Sequence, residues 1–70
     1  MTGKARLNLE ISKEQNTQLK LLREDTGAAS IVEVIRRALK LYTLLHAHSR
    51  AGGKIVLREA DGVERTVVLL

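Results

Sequence analysis

Seventy residues with no cysteine and a single aromatic side chain, Tyr42, leave room for one small hydrophobic core and exclude disulfides and thiolate metal sites. A chain this short needs help to bury its apolar surface, and without disulfides or such metals the expected help is a second subunit. The formal net charge is +4, and all of the excess lies before residue 51: Lys or Arg at 4, 6, 13, 20, 23, 36, 37, 40 and 50 against acids at 10, 14, 24, 25 and 33, whereas residues 51–70 carry three of each sign. A polyanion partner would meet that first part of the chain.

In chain order, the stretch "KARLNLEI" (4–11) alternates: Ala5, Leu7, Leu9 and Ile11 on one side, Lys4, Arg6, Asn8 and Glu10 on the other. A period of two predicts a half-buried β-strand. "SKEQ" then predicts a helix start, with Ser12 as N-cap and Gln15 completing a capping box. This helix runs to about Thr26 and stops at Gly27, the residue type preferred for a left-handed helix end. Leu19 and Leu22 form its inward stripe, and Leu21 lies off it.

"SIVE" restarts a helix with a second capping box, Ser30 with Glu33. Ile31, Val34, Ile35, Ala38, Tyr42 and Leu45 follow at helical spacing, and Val32, Leu39, Leu41 and Leu44 widen the apolar surface beyond one face. Such a helix is expected to be buried on more than one side, which one neighbouring helix cannot achieve. "AGG" at 51–53 ends it, and "KIVLREADGVERTVVLL" predicts a β-hairpin. A two-residue loop would set Arg58 against Arg65 and Glu59 against Glu64. A three-residue loop, Ala60-Asp61-Gly62 with Gly62 left-handed in a bulge, sets Arg58 against Glu64 and is the favoured register.

The predicted first strand needs a partner, since unpaired strand edges are sticky. The hairpin is one candidate; the same strand of a second copy, antiparallel across a two-fold axis, is the other. A dimer would also cover the second helix. Its ribbon would turn Lys4, Arg6, Asn8 and Glu10 outward, and a two-stranded ribbon fits the major groove of DNA, where Arg pairs with guanine and Asn with adenine.

On "RLNLEIS" (6–12), the Leu19 and Leu22 stripe ending at Gly27, and "EVIRRALKLY" (33–42), the chain resembles the ribbon-helix-helix DNA-binding proteins of the CopG/Arc type, in the MetJ/Arc superfamily. The likeness spans roughly residues 4 to 45, and the hairpin lies outside the shared core. It implies a mainly α fold with an N-terminal β-strand, forming an intertwined homodimer with an intermolecular antiparallel ribbon. The expected organisation is a DNA-binding and dimerisation domain at 4–50 with a hairpin extension at 54–70. Arg6, Asn8 and Glu10 fall at base-reading positions; Lys4, at the ribbon's edge, and Ser30, Ile31 and Val32 fall where DNA phosphates are held, which suits the positive end of a helix. Leu7, Leu9, Ile11, Leu19, Leu22, Ile31, Val34, Ile35, Ala38, Leu39 and Tyr42 make the expected dimer core.

Glu10 adds negative charge to this surface; it can accept from cytosine N4, or pair with Arg6 of the second copy if the two-fold axis passes near Asn8. Arg36 and Arg37 could reach phosphates, but Glu33 and Arg37, four apart, better suit a helix-surface ion pair. His46 and His48 point in different directions and belong to a solvated helix end rather than a metal site. No nucleophile–base–acid set or glycine-rich phosphate loop is visible, so no enzyme and no cofactor is expected. The hairpin is expected to cap the dimer core, to join dimers on DNA, or to dock a protein partner. No transmembrane segment or signal-peptide pattern is visible, so the expected location is cytoplasmic, at the nucleoid, without membrane contact. The resulting expectation is a sequence-specific binder of double-stranded DNA, a transcriptional repressor. A partition, conjugation or antitoxin role, and a dimeric protein-interaction scaffold that ignores DNA, are the alternatives.

Overall fold

A computed structural model describes residues 3–69 of the chain. Their elements run helix, helix, strand, strand: α1 at Lys13–Thr26, α2 at Ile31–Arg50, β1 at Ile55–Arg58 and β2 at Glu64–Val67. The chain divides into two compact units, and the boundary falls inside α2, after Val34.

The expected N-terminal strand is not formed. Residues 3–12 belong to no helix and no strand, and the only sheet among the described residues is the two-stranded β1–β2 hairpin. The order is helix–helix–hairpin, which corrects the ribbon-helix-helix architecture and its intermolecular ribbon. Alternation says which way side chains would point in a strand, but it supplies no partner for the backbone. The hairpin strands satisfy each other, and no described residue pairs with 4–11 in a sheet.

In the first unit, α1 starts and stops where local chemistry dictates. The Gln15 amide donates to the Ser12 hydroxyl at 3.1 Å, and the Ser12 amide donates to the Gln15 side-chain oxygen at 3.1 Å, closing the capping box. At the other end Gly27 turns left-handed (φ 68°). The amides of Gly27 and Ala28 donate back to Glu24 and Arg23, a Schellman ending that satisfies carbonyls the helix itself leaves open. Ala28, just past that turn, and Val34, in the first turn of α2, are the two buried residues among those described. The core of this unit therefore sits where the chain turns from one helix into the next.

In the second unit, α2 ends by the same device. Gly52 takes φ 88°, its amide donates to Ser49 at 3.1 Å, and the Gly53 amide donates to His48 at 3.0 Å. The His48 ring then reaches past the helix end, with Nε2 3.1 Å from the Lys54 carbonyl. A carbonyl only accepts, so Nε2 carries the proton and donates. A methyl group built on Gly53 would overlap this imidazole. Gly53 is thus the position that lets His48 tie the end of α2 to the start of the hairpin.

The hairpin has the register expected from its charges. Arg58 pairs with Glu64, Leu57 with Arg65, Val56 with Thr66 and Ile55 with Val67. The loop is Ala60-Asp61-Gly62: the Gly62 amide donates to Glu59 and the Glu59 amide to Val63, with Gly62 at φ 93°. These are the two bonds of a glycine bulge. Asp61 steadies the loop by accepting from the Val63 amide at 3.0 Å. Arg58 donates to Glu64 from Nε and Nη2 at 2.8 and 2.5 Å, and Arg65 lies 3.4 Å from Glu59.

Two outcomes follow. Ser12→Ala should lower stability by about 1 kcal/mol in denaturant titration, the usual loss of an N-cap. Gly53→Ala should displace His48 and lose its bond to Lys54, costing about 1 kcal/mol; in a His48→Ala background the same change should cost clearly less, and additive losses would show that the two residues are not coupled.

Candidate nucleic-acid interface

The charge excess can be placed element by element. Residues 3–12 carry Lys4 and Arg6 against Glu10. Helix α1 balances Lys13, Lys20 and Arg23 with Glu14, Glu24 and Asp25, and the hairpin segment balances Lys54, Arg58 and Arg65 with Glu59, Asp61 and Glu64. Helix α2 carries Arg36, Arg37, Lys40 and Arg50 against Glu33 alone. Positive charge therefore collects in two places, the N-terminal segment and α2.

All of residues 3–12 are exposed. Lys4, Arg6, Asn8 and Glu10 are open to solvent, as a surface that reads bases requires. Their apolar neighbours are open too: Leu7 is 78% exposed, Leu9 56% and Ile11 42%. The segment enters α1 at the doubly bonded Ser12, so its point of attachment is held even though its own backbone joins no sheet.

The start of α2 is the best-anchored candidate contact. The Ser30 hydroxyl accepts from the Glu33 amide at 3.2 Å, and the Ser30 carbonyl accepts the first helical bond from the Val34 amide. The amides of Ile31 and Val32 precede that bond and lie at the positive end of the helix. Val34 in this turn is buried, and Ile31 and Glu33 beside it are half-buried. A phosphate oxygen approaching here would meet donors already held in place.

Farther along α2, a 100° step per residue sets Arg36, Lys40 and Arg50 on one side and Val34, Ala38, Leu41, Tyr42 and Leu45 on the other. Glu33, Arg36 and Arg37 are each engaged in a polar or electrostatic contact, so Lys40 and Arg50 are the more available cations of this side. Lys40 is outside the residues expected to hold phosphates, and the net charge of α2 by itself marks it.

The residues expected in the dimer core are only partly covered. Val34 is buried, and Leu19, Ile31 and Ile35 are half-buried. Ala38 is exposed, and so are Leu22 (47%), Leu39 (63%) and Tyr42 (49%), in addition to Leu7, Leu9 and Ile11. Tyr42 stacks on His46 one turn later, with ring centroids 6.2 Å apart. Among the described residues no group of three or more His, Asp or Glu side chains is placed to hold a metal ion, and no helix is long and apolar enough to cross a membrane. No family model matches the chain, and no curated protein or solved structure matches it.

Proposed function

We propose that the chain is a sequence-specific DNA-binding protein, a transcriptional repressor and not an enzyme, that acts as a homodimer. The observation that carries this reading is the N-terminal segment, where Lys4, Arg6 and Asn8 are exposed beside equally exposed Leu7, Leu9 and Ile11. Arg and Asn are the side chains that read guanine and adenine edges in the major groove. Arg6, Asn8 and Glu10 contact bases. Lys4, the Ser30 hydroxyl and the amides of Ile31 and Val32 hold phosphates, and the Arg36–Lys40 side of α2 adds to the attraction.

A second copy is supported by exposed apolar side chains: Leu7 is 78% exposed, Leu39 63% and Leu44 67%, surface of the kind that association covers. The apolar residues of 7–11 and of α2 are the surface that would be covered.

Binding to DNA should weaken steeply as salt rises, with a log–log slope of several units in a fluorescence titration; a flat response favours the protein-interaction scaffold instead. Arg6→Ala and Asn8→Ala should each cost about 1–3 kcal/mol on the preferred sequence and little on random DNA. Lys4→Ala should weaken both alike. Equal losses on specific and random DNA for all three would contradict the division of roles. Glu10→Thr removes an anion from the surface and should tighten binding to random DNA at fixed salt.

A further inference from the structure

We propose that the exposed stripe Arg36, Lys40, Thr43, Ala47 and Arg50 on α2 is a phosphate-binding surface that ignores base sequence, along which one backbone strand of a nucleic-acid duplex lies. The proposal rests on the reading above for the class of partner, a nucleic acid, and not on base recognition by Arg6 and Asn8.

The five residues follow one another at helical steps of four, three, four and three, which at 100° per residue keeps them within an arc of about 80°. All five are exposed, and all belong to the second compact unit. They are thus distinct from Lys4 and from the first turn of α2, where phosphate contacts are already proposed. From Arg36 to Arg50 the stripe is about 21 Å long. It presents three cations, one hydroxyl and one methyl group, and no carboxylate. Glu33, the one acid of α2, precedes it and is engaged in a contact of its own. Lys40 and Arg50 have no ion-pair partner among the described residues. In the hairpin, by contrast, Arg58 and Arg65 meet Glu64 and Glu59.

Charge and shape select the occupant. One strand of a duplex carries a phosphate about every 3.4 Å along the axis, so about six lie beside a stripe of this length. Thr43 and Ala47 are short, which lets a backbone approach between the long side chains of Lys40 and Arg50. Val34, Leu41 and Leu45 lie on the opposite side of the helix. A bilayer that took up those residues would leave the stripe facing water. The centre of a protein interface is depleted of charge and apolar, and the stripe is neither. A line of phosphates asks only for cations.

The test uses the full chain, with duplex DNA of the preferred and of random sequence in a salt titration. Glutamine keeps nearly the helix propensity of Lys and Arg. Lys40→Gln and Arg50→Gln should each make the log–log salt slope shallower by about 0.9, and the double variant by about 1.8, with equal losses on both DNAs. Lys40→Arg and Arg50→Lys keep the charge and should keep the slope. A double variant with the slope of the unaltered chain would overturn the stripe and leave base reading by Arg6 and Asn8 intact. Equal losses on both DNAs for Arg6→Ala and Asn8→Ala, with the stripe variants behaving as expected, would overturn the base reading and uphold the stripe. Poly-L-glutamate or phosphatidylglycerol vesicles that bind as tightly as DNA, and lose that binding in the double variant, would give the stripe to an acidic protein or a lipid surface and overturn the proposal.

Discussion

Apolar surface that the chain does not cover by itself is the constraint behind every other feature. Among the described residues only Ala28 and Val34 are buried, while Leu7, Leu39, Leu44 and Val68 are each more than 60% exposed. Hydrophobic burial is the main favourable term in folding, at about 25 cal/mol per Å². The apolar surface left unused is what supports the proposed association. Local devices hold the elements in shape meanwhile: a capping box, two Schellman endings and a glycine bulge, each satisfying backbone groups within a few residues.

The charge distribution adds direction to that need. Positive charge is concentrated on the N-terminal segment and on α2, and both α1 and the hairpin are neutral. The segment brings the two demands together, because its apolar residues alternate with Lys4, Arg6 and Asn8. A partner that covers Leu7 and Leu9 lies next to Lys4, Arg6 and Asn8 of the same segment. This is why association and nucleic-acid binding are linked in the proposed reading. The hairpin has the opposite character. Four of its six charges meet in cross-strand pairs, so its cations and anions balance locally. Such a surface has little to attract a phosphate.

Much of the fold is legible in the sequence because it is decided over three to six residues. Ser12 with Gln15, Gly27 after Thr26, Ser30 before Ile31 and Gly52 after Ala51 mark the helix ends through single hydrogen bonds or a single backbone angle. The hairpin register follows from which charges would meet across the strands. The role of His48 was not legible: two histidines near a helix end read as solvated, and only the chain's turn at Gly52 and Gly53 brings Lys54 within reach of one of them. The candidate site is legible as residue types and local charge, and the order of its exposure is not.

What the sequence by itself determined, then, is every feature that closes locally: where helices start and stop, how the hairpin turns, and where positive charge collects. The tertiary structure decided whether the alternating segment at 4–11 is a strand. Pairing is a non-local property, since the partner's backbone must lie alongside, and periodicity in one segment carries no information about that neighbour. With β1 and β2 bonded to each other, residues 3–12 stay outside the sheet and exposed to solvent.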